Sequence, residues 1–329
     1  MGKKSQPSVS AVICTFNGER YLAQQLESML AQSTNLDEIV VSDDGSRDDT
    51  YSLITDFAQE HSGPGFPIWK IFKRDEPLGI SANFEFALRQ ASGEIVFLAD
   101  QDDIWDIDKV RLSIEKFSDQ SVFLVHTDAL LISSENRHLG SLMQTLGLSS
   151  FERKLLTAGD ALRVLLRRNV VTGATVAIRA SLLDLALPIP NGWIQDEWLA
   201  FVAASRNGMK FDSRMLTKYR QHDGNEIGVS RLDLHRVRDR LKDSRDSLMG
   251  RKRERNRGIQ DFLSKNSELL GDREVGLLRQ KVAFDHWRSD LSASRLSRVL
   301  PVIRRIRTGE YSDFARGYMD VFRDLLLGP

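Results

Sequence analysis

Over residues 94–108 the chain reads EIVFLADQDDIWDID, an apolar run that stops on Asp100, Asp102 and Asp103. An apolar run of this length reads as a buried strand, and the carboxyl end of such a strand is where open α/β sheets bind ligands. Like charges this close raise one another's pKa unless they share a cation, which points to a divalent metal. An all-oxygen ligand set favours Mg2+ or Mn2+ over zinc. The same residues also suit a polar loop capping the next helix, with Asp106 or Asp108 at the N-cap. The cluster alone leaves both readings open.

Two other strand ends carry polar turns. In CTFNGERY (14–21), Asn17 and Gly18 turn a strand into a helix N-terminus, a ready site for diphosphate oxygens, although the same pair also marks ordinary turns. In VVSDDGSRDDT (40–50), Asp43 and Asp44 are placed to accept hydrogen bonds from a base or ribose, whereas Asp48 reads as an N-cap. A fourth carboxylate, Asp196, opens a helical pattern in GWIQDEWLAFVAA (192–204), with Trp193 and Trp198 beside it. From the residues alone Asp196 is an N-cap and Glu197 its first-turn partner.

The elements that must position these groups alternate. Strands over 9–14, 38–42, 68–73 and 94–99 are each followed by a helical pattern, over 19–32, 48–61, 81–91 and about 107–117. This is βαβ organisation with a parallel sheet, so the three polar turns converge on one crevice. Beyond it the rhythm changes, with strands expected over 121–132, 170–178 and 210–219. The reading is a nucleotide-binding half over about 8–105, a mixed half over 106–228 carrying the other substrate, and a helical extension over 229–329.

Composition sets the limits. With 329 residues, 41% apolar and 28% charged, the chain is globular, with one large domain plus an appendage or two domains. Lys plus Arg equals Asp plus Glu at 46 each, so no charge excess argues for nucleic acid. The single cysteine, Cys14, excludes an internal disulfide and fits a reducing compartment. No apolar stretch approaches the ~20 residues that cross a bilayer. The start, MGKKSQPSVS, lacks a signal-peptide core. The expected location is the cytoplasm, with peripheral contact at the inner face of the plasma membrane open. Neither a Walker pattern nor GxGxxG is present, which argues against an ATPase or a dinucleotide oxidoreductase.

The helical extension is charged and amphipathic. Residues 231–257 hold eleven Lys or Arg against five Asp or Glu, the pattern of a solvated helix with i to i+4 pairs. In RLSRVLPVIRRIRTG (295–309), Leu296, Val299, Leu300, Ile303 and Ile306 fall on one helical face, with Arg298, Arg304, Arg305 and Arg307 elsewhere. Such a helix suits an anionic membrane, the catalytic domain or a second copy in a homodimer. Pro301 is expected to kink it or split it in two. The final stretch, YSDFARGYMDVFRDLLLG, is apolar enough to be docked and ordered.

In combination, the first strand with CTFN, SDDGS and LADQDD resembles the family 2 glycosyltransferases of the GT-A fold, over residues 9–221. The resemblance implies an α/β, Rossmann-like, mixed and mostly parallel sheet flanked by helices. It makes Asp100-Gln101-Asp102 the family's DxD motif, with Asp102 the ligand of Mn2+ or Mg2+ and Asp100 facing ribose and metal. Asp43 and Asp44 then belong to the nucleotide site, Asp44 at the base, and Thr15 and Asn17 line the nucleoside pocket. Asp196 matches the general base of inverting members, a role worth about 10² to 10⁴ in rate. TGATVAIR (172–179) resembles a strand under the acceptor, where Gly173 lets backbone approach sugar, and Trp193 and Glu197 fall on that side.

KYRQHDGNEIG (218–228) resembles a segment of the bacterial rhamnosyltransferase branch. His222 ends a strand in a segment that can fold back over diphosphate and metal, and it reads either as a ligand there or as a structural donor, with Arg220 and Gln221 meeting either phosphate or the sheet surface. The implied donor is dTDP-L-rhamnose, with UDP-hexose or UDP-N-acetylhexosamine as alternatives. The implied acceptor is a bacterial surface polysaccharide or a lipid-linked saccharide. Gln195 departs from the branch, which commonly has His there. Lys73 and Arg74 either reach the diphosphate or flank the sheet. Competing readings are a metal-dependent phosphohydrolase with Asp100 as nucleophile, in which SDDGS has no role, and a non-catalytic nucleotide-sugar binder, which has no use for Asp196.

Overall fold

The four expected βαβ strands form where their apolar runs lie: β1 (Val9–Thr15), β2 (Glu38–Asp43), β3 (Ile68–Lys73) and β4 (Ile95–Ala99). They alternate with α1 (Glu19–Leu30), α2 (Thr50–Glu60) and α3 (Ile80–Gln90). The computed structural model describes residues 6–222, 245–292 and 294–326. The strands pair in parallel in the order β3-β2-β1-β4. β2 and β4 are buried throughout, and β3, at the sheet's edge, is half-exposed. Burial on both faces is why the inner strands read as continuous apolar runs rather than alternating ones.

The second half extends the same sheet. After β5 (Ile104–Trp105) and α4 (Lys109–Ile114) come β6 (Leu124–Ser133), β7 (His138–Ser141), α5 (Leu142–Thr145), α6 (Ser150–Thr157) and α7 (Ala161–Leu165). Then follow β8 (Val176–Arg179), α8 (Leu183–Ala186), α9 (Gln195–Ser205) and the long β9 (Met209–Gln221). β8 lies antiparallel to β4 and to β6, β9 runs parallel to β6, and the short β5 closes the order antiparallel to β9. The result is a mixed sheet flanked by helices, in which the carboxyl ends of β1, β2, β4 and β9 lie along the same edge.

The strand expected over 170–178 is shorter than its pattern. Gly173–Thr175 form a 3-10 turn and only Val176–Arg179 enter the sheet, because the Gly173 amide donates to the Asp196 carboxylate instead of to a neighbouring strand. The helix expected over 107–117 is α4 followed by a 3-10 turn at Glu115–Ser118.

The boundary placed near residue 228 lies outside the described residues, as does most of the charge run over 231–257. No strand follows Gln221 among the described residues. Instead come α10 (Arg245–Asn266), α11 (Asp272–Ser289), α12 (Arg295–Arg307), α13 (Glu310–Phe314) and α14 (Tyr318–Leu326). Pro301 sits inside an unbroken α12. Ile259, Phe262, Leu278, Phe284, Val302 and Tyr311 from these helices share one apolar cluster with Val12, Phe84, Leu98 and Trp198 of the α/β part.

An ion-pair knot fastens the last helices. Arg288 is buried and donates to Asp324 at 2.6 and 2.9 Å and to Asp320 at 3.3 Å, while the Tyr311 hydroxyl donates to Asp324 at 2.7 Å. Replacing Arg288 by Ala leaves the buried Asp324 without its cation and Asp320 with the more distant Arg323, at 3.7 Å. We expect a loss of about 3–5 kcal/mol of stability, read by urea unfolding.

Candidate active site

The turn after β1 is held by its neighbours. Asn17 adopts φ 48°, in the left-handed region that Asn tolerates. Its amide N–H donates to Ser46 Oγ at 2.9 Å and its side-chain oxygen accepts the Arg47 N–H at 2.9 Å. Gln101 grips the same turn, accepting the Phe16 N–H at 2.8 Å and donating to the Phe16 carbonyl at 3.0 Å. A Cβ at Gly18 would lie 2.2 Å from Gln101 Oε1, so a side chain there would displace the Gln101 amide from the turn.

The turn after β2 is fixed by its own carboxylates. Asp43 accepts from the Thr15 hydroxyl at 2.8 Å, from the Ser46 hydroxyl at 2.5 Å and from the Ser46 N–H at 2.9 Å. Asp44 receives the N–H groups of Leu78 and Gly79 at 2.8 and 2.9 Å, tying β2 to the start of α3. Thr15, Asn17, Asp43, Asp44 and Gln101 lie in neighbouring turns, but Asp43 and Asp44 are buried with their carboxylates on protein donors, so the acceptors expected to face a base or ribose are turned to holding the turns themselves. At the end of β3, Arg74 lies over the Phe86 ring at 4.0 Å, and its buried Nε and Nη2 have no hydrogen-bond partner among the described residues.

The three carboxylates after β4 separate into different environments. Asp103 is fully buried; its Oδ1 accepts the Arg220 backbone N–H at 3.0 Å and its Oδ2 has no partner among the described residues. Burial, then the charges of Asp102 and Asp100, push its carboxyl well above the usual range. Asp100 is pushed up to about 7 by burial, then by Asp102 and Asp196. Asp102 Oδ2 meets His222 Nε2 at 2.8 Å, and the His222 ring packs on Tyr21 at 5.0 Å.

Lys109 supplies a buried amine beside this cluster. Its Nζ donates to the Ala174 carbonyl at 2.6 Å and the Thr217 hydroxyl at 2.9 Å, and sits 4.3 Å from the centre of the Trp105 ring. Burial draws its pKa down to about 7 against the pull of Asp103 and Asp100. Tyr219, on β9, marks where the charges meet: burial first, then Asp100, Asp103, Asp102 and Asp196, raise its hydroxyl pKa. Among the described residues no three His, Cys, Asp or Glu side chains form a ready ligand set. The expectation that three carboxylates share one cation is corrected to the extent that Asp103 is turned under the Arg220 backbone.

Asp196 occupies the first turn of α9, where Ile194, rather than Asp196, is the N-cap. Its Oδ2 accepts the Gly173 N–H at 2.7 Å and its Oδ1 accepts the Glu197 N–H at 2.6 Å. Burial, then the Glu197 charge, push its carboxyl up to about 7 despite these bonds. A Cβ at Gly173 would meet Asp196 only at 3.7 Å, an ordinary contact, so the amide rather than the missing side chain is what Gly173 supplies.

Glu197, Trp193 and Arg220 have inward roles. Glu197 is paired with Arg255 of α10, with Nη1 to Oε2 at 2.8 Å and Nη2 to Oε1. The Arg255 guanidinium lies over the Trp193 ring at 4.0 Å, and the Trp193 indole N–H donates to the Arg255 carbonyl at 3.1 Å. The helical extension thereby braces the residues on either side of Asp196. Arg220 is buried, donating to the Asp102 carbonyl at 2.7 Å, Asn136 Oδ1 at 2.6 Å and Gln24 Oε1 at 2.9 Å, with Tyr21 beneath it. It braces the loops rather than lining the crevice.

Sequence reasoning passed over Lys109, Tyr219 and Arg255. Lys109 directly follows the acidic stretch, which is a usable signal for a compensating charge. Arg255 lies in a run read as solvated, and nothing local marks it as paired.

The raised carboxyl groups make stability pH-dependent. A carboxyl whose folded pKa lies above its unfolded value contributes stability that is full below the unfolded pKa and lost as pH rises through the folded one. Asp100 and Asp196 lose theirs around pH 7, with Asp103 acting in the same sense, while the depressed Lys109 runs the other way and offsets part of the loss. We expect the metal-free protein to be less stable at pH 8 than at pH 6.5, by on the order of 1 kcal/mol. Thermal melts with chelator read this, and Asp196→Asn should flatten the trend.

The sequence model of Glycosyl transferase family 2 matches residues 10–184, more than half of the chain. An uncharacterized glycosyltransferase of Nostoc sp. is 34% identical over 114 residues, covering 35% of this chain and 34% of that protein. The chain spans about a third of the length of the first curated relatives it matches. Among solved structures, S. aureus TarS 1-349 in complex with UDP-GlcNAc superposes with a TM-score of 0.53 at 17% identity, over 93% of this chain and 89% of that one. The mannosyltransferase PcManGT from Pyrobaculum calidifontis, in complex with GDP-Man and Mn2+, gives 0.52 at 18% identity, over 98% and 85%. Such identities speak to the fold, the mixed sheet with flanking helices known as GT-A. The family match and the sheet order agree: the chain belongs to glycosyl transferase family 2.

Proposed function

We propose that the protein transfers a sugar from a nucleoside diphosphate donor to an acceptor hydroxyl with inversion at the anomeric carbon, Asp196 acting as general base. The observation that carries this is the Asp196 carboxylate, buried and oriented by two backbone N–H groups, with burial pushing its pKa up to about 7. That is the poise a base needs at neutral pH. The acceptor O–H proton passes to Asp196, the acceptor oxygen forms its bond to the anomeric carbon from the face opposite the diphosphate, and the bond to the phosphate oxygen breaks. A nucleotide-sugar binder without catalysis would not need this arrangement.

The crevice fits a divalent cation. Burial and then the neighbouring carboxylate charges push the Asp100 carboxyl up to about 7, and the Asp102 carboxylate beside it faces His222, so a cation would relieve the repulsion between them. The accessible donors, Asp102 with Asp100 and the His222 imidazole, suit Mn2+ or Mg2+. Asp102 and His222 would hold the ion; bound there it would offset the charge of the leaving diphosphate. The unpartnered donors of Arg74 are suited to donor oxygens in the same crevice.

The donor we favour is dTDP-L-rhamnose, on the KYRQH segment, with a bacterial surface polysaccharide or lipid-linked saccharide as acceptor. A UDP-hexose or UDP-N-acetylhexosamine is the alternative, supported by the likeness to TarS bound to UDP-GlcNAc. The test is proton NMR of the sugar released slowly to water from dTDP-rhamnose, UDP-glucose and UDP-GlcNAc, read before mutarotation. Inverted configuration of the first-formed sugar is expected; retained configuration would remove Asp196 from the role of base.

A further inference from the structure

We infer that α12 and α14 form a docking face for an anionic lipid bilayer. Of the eighteen exposed large apolar side chains among the described residues, nine lie on these two helices, which pack against each other. On α12, Leu296 and Leu300 are 87% and 78% exposed, with Val299, Ile303 and Ile306 also outward.

α14 is reversed relative to an ordinary surface helix. Its carboxylates Asp320 and Asp324 are buried against Arg288, while Tyr318, Met319, Phe322 and Leu326 face out, Tyr318 at 81% and Phe322 at 65% exposure. The reversal is fixed by the fold, because the buried Arg298 of α12 donates to the Asp324 carbonyl at 3.0 Å and Val302 and Val321 fill the shared interior. Exposed apolar side chains concentrated this way mark an interaction site rather than scattered surface residues.

Charge selects the occupant. α12 contains five arginines and no acidic residue; Arg295, Arg304 and Arg307 are exposed, and the acids of α14 point inward. Two copies meeting through this face would bring arginines together, whereas an anionic headgroup layer would neutralise them while its acyl boundary takes the apolar side chains. The inference does not depend on which sugar is transferred.

The full chain would be sedimented with vesicles of phosphatidylcholine alone and of phosphatidylcholine with phosphatidylglycerol. Binding to the anionic vesicles is expected, weakened by salt, and lost at least about tenfold in Leu300→Asp and in Phe322→Asp. Arg304→Gln with Arg307→Gln should weaken it roughly fivefold per arginine and leave the melting curve in place, which separates loss of docking from loss of folding. Equal binding to neutral vesicles would overturn the electrostatic part. Absence of binding would overturn the inference, whether or not sedimentation velocity then shows a dimer that Phe322→Asp dissociates.

Discussion

Asp196→Asn is expected to lower turnover by about 10² to 10⁴ while nucleotide affinity stays within a few-fold of wild type. The amide cannot take the acceptor's proton, yet it has nearly the size of the carboxylate and can still accept the Gly173 or Glu197 N–H that now orients it. The pH profile gives a second reading of the same group. A base must be unprotonated, so wild-type kcat/KM should rise with pH through about 7 and then level off. The variant's residual activity should lack that limb. Because Glu197 helps raise the Asp196 pKa and is itself paired with Arg255, Arg255→Ala should move the midpoint upward. Turnover near wild type in Asp196→Asn would remove the assignment.

Asp102→Ala should abolish the metal dependence of nucleotide binding, weakening affinity in Mn2+ by roughly 10- to 100-fold or more. The substitution removes the carboxylate that faces His222 and leaves the imidazole against Tyr21. If Asp102 served only to hold His222, the variant would instead lose stability and keep whatever nucleotide affinity the metal-free protein has. Thermal shift with and without Mn2+ tells these apart: wild type should gain stability from the ion, most at pH 8 where the crevice carboxylates are ionised, and the variant should gain little.

The parallel half of the sheet was legible because burial on both faces leaves β1, β2 and β4 as short apolar runs ending in polar turns. The position of the acidic cluster followed from the same pattern. The division of labour among Asp100, Asp102 and Asp103 did not, because it depends on β9, over a hundred residues away, laying the Arg220 amide against Asp103. Gly173 was read in a strand because its neighbours are β-branched; a single hydrogen bond to Asp196 takes it out of the ladder. The resemblance puts Trp193 and Glu197 on the acceptor side, whereas the structure turns both toward α10 through Arg255. Local pattern carries the strands and the places where they end. Which face a side chain finally shows is decided by elements distant in sequence.

The most direct measurement is a calorimetric titration of the full chain with dTDP, UDP and GDP, each with and without Mn2+. Binding of dTDP, or failing that UDP, that appears only with the ion and disappears in Asp102→Ala is the expected result, and the nucleotide preferred would name the donor class. Binding of no nucleotide, or binding indifferent to both Mn2+ and Asp102, would contradict the proposed metal-dependent donor site.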